Sequence, residues 1–205
     1  MASAALETLL SRAGRVRDTH TAGIDAVRGR TDLVDAARVA RIAKIHLDGS
    51  TKMRELRLAF HDELASRAEA AERTAFSPSG IRENPAAAAA WRHAVTVAAD
   101  LTHIDAATAA LARANRDGDE SMAVAIGAHA ADMAHGPGGE RWGELVDAFT
   151  STRPHRAAAV EVLVEVARDR SSLAASPFAL GLPTPLELGH NTTPDRLESL
   201  ASASP

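Results

Sequence analysis

Pro85-Ala-Ala-Ala-Ala-Ala-Trp-Arg-His-Ala-Val-Thr-Val-Ala-Ala-Asp-Leu-Thr-His-Ile-Asp105, continuing through Ala- and Leu-bearing residues to Asn115, is the stretch whose reading decides the fold. Small or apolar residues fall at Ala90, Ala94, Val97, Leu101, Ile104, Thr108 and Leu111. Steps of three and four put them on one stripe of a helix. Pro85 has no N–H to leave unpaired at a first helical position, and Asn84 before it is a good cap. Read as one rod, the stretch is about 45 Å long at roughly 1.5 Å per residue and would be the spine of a helical domain.

Composition points the same way. Ala supplies 46 of the 205 residues, aromatic residues only 3%, and Tyr none. Ala is the best helix former and is depleted in strands, so the expected class is all-α, with a core of small and aliphatic side chains. The hydrophobic share of 45% is enough for such a core. With no cysteine, disulfides, thiolate catalysis and Cys-ligated metals are excluded. The longest apolar run is the alanine tract before Trp91, far short of the ~20 residues a membrane span needs. The first residues carry no basic and apolar signal pattern, so the expected location is the cytoplasm, with no membrane partner. Lysine is confined to Lys44 and Lys52 while Arg and Ala abound, a usage that suits a GC-rich genome.

Outward from the central stretch, the pattern predicts helices over 4–16, 32–47, 51–73, 86–115, 120–134, 140–150 and 155–169, a bundle of six to seven. Residues 18–31, with Gly23 and Gly29, read as a connector. Val39, Ile42, His46, Gly49, Met53, Leu56 and Phe60 form a broken heptad seam. Asp48-Gly49-Ser50 is turn-like, so this run reads as two helices or a kinked one, with His46 a partly exposed packing residue at the break. Ser77-Pro78-Ser79-Gly80 to Asn84-Pro85 is the strongest punctuation. It divides the chain into an N-terminal helical region (1–76), a linker (77–85) and a C-terminal helical domain (86–170). An extended, proline-containing arm (171–205) follows.

In the C-terminal domain, Asp117-Gly118-Asp119 ends one helix and caps the next, whose buried face would be Met122, Ile126, His129 and Met133. Trp142, Leu145, Val146 and Phe149 share a face, and Arg153-Pro154 restarts a helix carrying Val160, Leu163, Val164 and Ala167. Leu101, Ile104, Leu111, Ile126, Trp142, Leu145, Phe149, Leu163 and Val164 are expected to form one core.

Little in the chain is catalytic in pattern. Asp100-x-x-His103 and Asp132-x-x-His135 place a carboxylate and an imidazole three apart, as in half of a carboxylate-bridged metal site. The further inward Glu residues of that pattern are missing, so no metal, cofactor or catalytic residue is expected. The glycines of His135-Gly-Pro-Gly-Gly139 follow no strand and lack a Gly-Lys-Ser/Thr ending, which fails the phosphate-loop context. Trp91 and Trp142 read as core. Charge is uneven: through Phe60 eleven Lys and Arg face seven Asp and Glu, and afterwards twelve face twenty. Arg38, Arg41, Lys44, Lys52, Arg54 and Arg57 make residues 38–57 basic, a possible nucleic-acid contact interrupted by acidic residues.

Residues 112–126, Ala-Arg-Ala-Asn-Arg-Asp-Gly-Asp-Glu-Ser-Met-Ala-Val-Ala-Ile, followed by Trp142-Gly-Glu-Leu-Val-Asp-Ala-Phe149 and Thr152-Arg-Pro154, resemble small helical proteins encoded among the virion structural genes of actinobacterial tailed phages. The resemblance implies a virion or assembly protein with no catalytic residues. The arm adds an expectation of its own. Phe178, Leu180, Leu182, Leu186 and Leu188 are too apolar for a solvated tail, and its prolines block regular hydrogen bonding. They are the expected protein-binding residues, docking on their own domain or, the favoured reading, on a neighbouring copy or another subunit. A non-enzymatic structural or assembly protein is therefore the first reading. A cytoplasmic adaptor or regulator binding protein or nucleic acid is second, and a metal-dependent helical-bundle enzyme third.

Overall fold

The computed structural model describes residues 4–78, 81, 84–134, 136, 138–175, 181–189 and 192–203, with 172–175 described in backbone only. It is helical, with no strand among the described residues. The helices are α1 (Ala4–Arg28), α2 (Asp35–Phe76), α3 (Pro85–Ala99), α4 (Ile104–Asp117), α5 (Glu120–Ala134), α6 (Glu140–Thr150), α7 (Pro154–Ala175) and α8 (Pro194–Ser202), with a 3₁₀ turn at Leu186–Leu188. Contacts group them into two compact units, residues 1–66 with 167–205, and residues 67–166. The division falls inside α2 and α7 rather than at the proline-rich punctuation.

In the first unit, two expected breaks are absent. Residues 18–28 continue α1 instead of forming a connector, and α2 runs unbroken through Asp48-Gly49-Ser50. Gly49 serves close approach, not a turn. A Cβ there would lie 2.8 Å from Leu182 Cδ1 and 3.2 Å from His20 Cδ2. Packing of this closeness outweighs the roughly 1 kcal/mol by which Gly weakens a helix interior. One core of this unit joins Ile24 and Val27 of α1, Ile42 and Ala43 of α2, Leu188 of the 3₁₀ turn and Leu197 of α8. The C-terminal segment thus folds back onto its own unit. Thr193 caps α8 by accepting from the Arg196 N–H, and Pro194 opens it.

The second unit is organised around α5, not around the 85–115 stretch. Ala123, Val124, Ala125, Ile126 and Gly127 are all buried, and α5 packs on α3, α4 and α6. The stretch that reads as one rod is two helices. The Leu101 N–H bonds the Ala98 carbonyl at 3.0 Å, closing α3, and His103 takes an extended conformation as the N-cap of α4. The released Leu101 carbonyl accepts from His129 Nε2 at 3.1 Å. Asn84 caps α3 as the sequence suggests, its Oδ1 accepting from Ala86 N–H at 2.9 Å. Gly118 ends α4 in the left-handed region at φ 68°, and Asp119 caps α5 by accepting from the Met122 N–H.

Leu111, Ile126, Trp142, Leu145 and Phe149 share the buried core of this unit, with Leu101 and Ile104 packed against it half-buried. Two expected members differ: Leu163 is half-buried and Val164 is 54% exposed. Among the described side chains of α7, Ala159, Val166 and Arg156 are buried instead. Arg156 Nη1 donates to the carbonyls of Thr74, Ala75 and Ser77 at 3.3, 2.7 and 3.2 Å, and Nη2 pairs with Glu120 at 3.1 Å. It supplies the donors that the last carbonyls of α2 lack within the helix. Arg153 braces the same corner, bonding Glu120, Asn115 Oδ1 and the Phe149 carbonyl while covering the Phe149 ring at 4.9 Å.

Candidate functional site

A cleft of about 800 Å³ runs along the α1–α2 pair of the first unit. Its α1 side carries Arg12, Arg15, Val16 and Thr19, and its α2 side Ile45, Asp48, Lys52, Glu55 and Leu56. Steps of three and four along each helix make these two facing stripes, the geometry of a groove between neighbouring helices. Both signs of charge line it, over an apolar floor of Val16, Ile45 and Leu56.

At the end of this cleft, α1 and α2 bury a pair of histidines. His20 Nε2 and His46 Nδ1 lie 3.0 Å apart, and both residues are buried. The ring centroids are 5.2 Å apart. That nearly equals the nitrogen separation plus the two ring radii, so the nitrogens meet nearly head-on, as in an N–H···N hydrogen bond. Two lone pairs converging on one metal ion would not be collinear. Burial pushes both imidazoles below the ordinary histidine pKa, and at His46 the neighbouring His20 adds to the effect. The pair is therefore neutral and shares one bridging proton. His20 Nδ1 is buried without a hydrogen-bond partner among the described residues. A bare acceptor costs less there than an orphaned N–H, which favours the tautomer in which His20 Nε2 donates to His46 Nδ1.

The residues read from sequence as a docking surface fall in different environments. Phe178 and Leu180 lie outside the described residues. Leu182 is half-buried against Gly49, Leu188 is 3% exposed within the core of its own unit, and Leu186 is 78% exposed. For Leu182 and Leu188, the surface covered is the chain's own. His46 is corrected from a partly exposed residue at a break to a buried member of a continuous helix. Asp100 and His103 are exposed at helix ends, Asp132 is exposed on α5, and His135 lies outside the described residues. The basic stretch makes no single face. At about 3.6 residues per turn, Arg38, Arg41 and Lys52 fall on one side of α2 and Arg54 and Arg57 on the other. Arg38 is engaged locally, donating to Asp35 and to the carbonyls of Arg30 and Leu33.

His20 escapes a reading of residues 18–31 as a connector. The signal that locates it is the heptad Leu6, Ala13, His20, Val27, buried throughout. Compared with family models, curated proteins and solved structures, the chain matches none. No described helix is long and apolar enough to cross a membrane.

Proposed function

We propose that the chain is a non-enzymatic structural or assembly protein that receives a segment of a neighbouring subunit in the α1–α2 cleft. The observation that carries this reading is the shape and lining of that cleft. It extends along residues 12–23 of α1, about 17 Å at 1.5 Å per residue, which suits a helix or extended segment. An apolar floor with a charged rim is the anatomy of a protein interface. The resemblance of residues 112–126, 142–149 and 152–154 to tailed-phage virion proteins adds the setting: a head, head–tail or tail component.

The absence of cysteine makes a clean test possible. A photo-crosslinker carried on Thr19→Cys, at the cleft, is compared with one on the exposed Ala106→Cys, first on the protein alone over a concentration series and then with the products of adjacent genes. A discrete adduct from Thr19→Cys, abolished by Arg15→Glu with Lys52→Glu, is the expected result. A monomer at every concentration, with no adduct or equal adducts from both sites, overturns the reading.

A further inference from the structure

The histidine pair lies under the returning C-terminal segment. Leu182 Cδ1 and the His20 ring both press on Gly49, within 2.8 and 3.2 Å of the position a Cβ would take. One and two turns further along α1, Ile24 and Val27 join Ile42 and Ala43 in the socket that holds Leu188 and Leu197. Between these points Arg28 grips Glu187 with two parallel bonds, Nε to Oε1 at 2.7 Å and Nη2 to Oε2 at 2.9 Å. The spacing of α1 from α2 at the pair and the grip on residues 181–189 and 192–203 are thus parts of one arrangement.

We propose that His20 and His46 form a proton-operated latch for residues 181–189 and 192–203, closed while the pair is neutral and opened by uptake of one further proton. With one proton between the facing nitrogens, the pair is a neutral hydrogen bond. With a second proton there, N–H faces N–H at 3.0 Å and one ring is a cation. Protonation at Nδ1 of His20 instead creates a buried N–H with no acceptor. In the first case the rings must separate, and in the second His20 must turn its Nδ1–H toward water; both displace His20 beside Leu182 and widen the socket of Leu188 and Leu197.

The surrounding charges do not compensate. Arg12, Arg15, Asp48, Lys52 and Glu55 line the cleft beside the pair, three cations against two carboxylates. On the other side of His20 stand Asp25 and Arg28 of α1 and, from the C-terminal segment, Glu187. Both of these carboxylates are bonded to Arg28. The latch does not rest on the assembly reading and would operate in an isolated chain.

The test is hydrogen exchange of the full chain at about pH 7.5 and about pH 5.5, either side of the ordinary histidine pKa, corrected for intrinsic chemistry. Peptides spanning 186–202 should exchange severalfold faster, relative to that correction, at the lower pH. Peptides of α5 should not change. In His20→Gln with His46→Asn, the side-chain amide N–H introduced at position 20 can donate to the side-chain carbonyl introduced at position 46 in place of the ring pair without titrating, and the acceleration should vanish. Unchanged exchange in the wild type, or acceleration that survives the double substitution, overturns the latch. If that variant does not fold, the carbon-bound ring protons of His20 and His46 are titrated by NMR in the wild type. Methyl signals of Leu188 and Leu197 that move with the histidine titration uphold the latch, and methyl signals unmoved through it overturn the latch.

Discussion

The backbone of Gly127 lies directly under the ring of Phe149: a Cβ at position 127 would sit 2.6 Å from Cδ1 and 2.8 Å from Cε1 and Cγ. Both residues are fully buried, and the contact sets how closely α5 and α6 approach. Gly127→Ala must therefore push a large ring or shift a helix. Overpacking of this kind costs about 1–3 kcal/mol. Gly143, inside α6, has no atom within 4 Å of its would-be Cβ. Gly143→Ala should stabilise by about 0.5–1 kcal/mol through helix propensity and unfolded-state entropy. Chemical denaturation of the two variants checks the opposite signs.

Truncations in the second unit should follow the observed burial rather than the apolar stripe. Leu111 is 3% exposed, whereas Leu101 is half-buried beside the break between α3 and α4. Leu111→Ala should cost about 2–5 kcal/mol, and Leu101→Ala less. Val164→Ala, at a position 54% exposed, should stay within about 0.5 kcal/mol of wild type. Unfolding free energies in the reverse order would show that the core had been misassigned.

The helical class was legible because Ala content, period and caps agree, and Asn84, Gly118 and Thr193 act where such residues are expected to act. Interruptions were harder to read. The α3–α4 break leaves Leu101 and Ile104 against the same core, so the apolar stripe runs through it undisturbed. Gly49 carries a turn-like local signature, yet its partners, His20 and Leu182, lie 29 positions before it and 133 after it. No local pattern contains such a contact. The same limit applies to the site: His46 stands on a visible seam, but its partner is legible only if residues 18–28 are first read as helix.

Arg156 is the clearest case of a polar side chain that replaces missing backbone partners. Its guanidinium, 3% exposed, gathers three carbonyls at the end of α2 as well as Glu120. Arg156→Met keeps much of the volume but leaves those carbonyls without donors, at about 1–3 kcal/mol for a buried group left unsatisfied. Arg156→Lys should recover only part of the loss, because an ammonium lacks the planar fork. Glu120→Gln, altering a partner that is 47% exposed, should cost less than either. Equal stability of wild type and Arg156→Met would remove the capping role.

The histidine pair also predicts the pH dependence of stability. Burial lowers the folded-state pKa of His20 and His46, so at pH values between the folded and unfolded pKa the unfolded chain binds more protons. Stability then rises with pH across that interval. Its lower limit is the depressed folded value and its upper limit is the ordinary histidine value near 6.5. Acidification from about pH 7.5 should cost nothing until that upper limit and then lower the denaturation midpoint progressively. Glu187 acts in a lower range. Its hydrogen bond from Arg28 depresses the carboxyl pKa, so the ion pair contributes above the ordinary glutamate value and is lost as pH falls through the folded one. The two ranges separate the causes. His20→Gln with His46→Asn should flatten the curve between about pH 5 and pH 6.5 and leave the Glu187 range intact, whereas Glu187→Gln should alter only the latter. A wild-type midpoint that does not fall between about pH 6.5 and pH 5 would show that the buried pair takes up its protons without penalty, and that its neutrality is not what the fold requires.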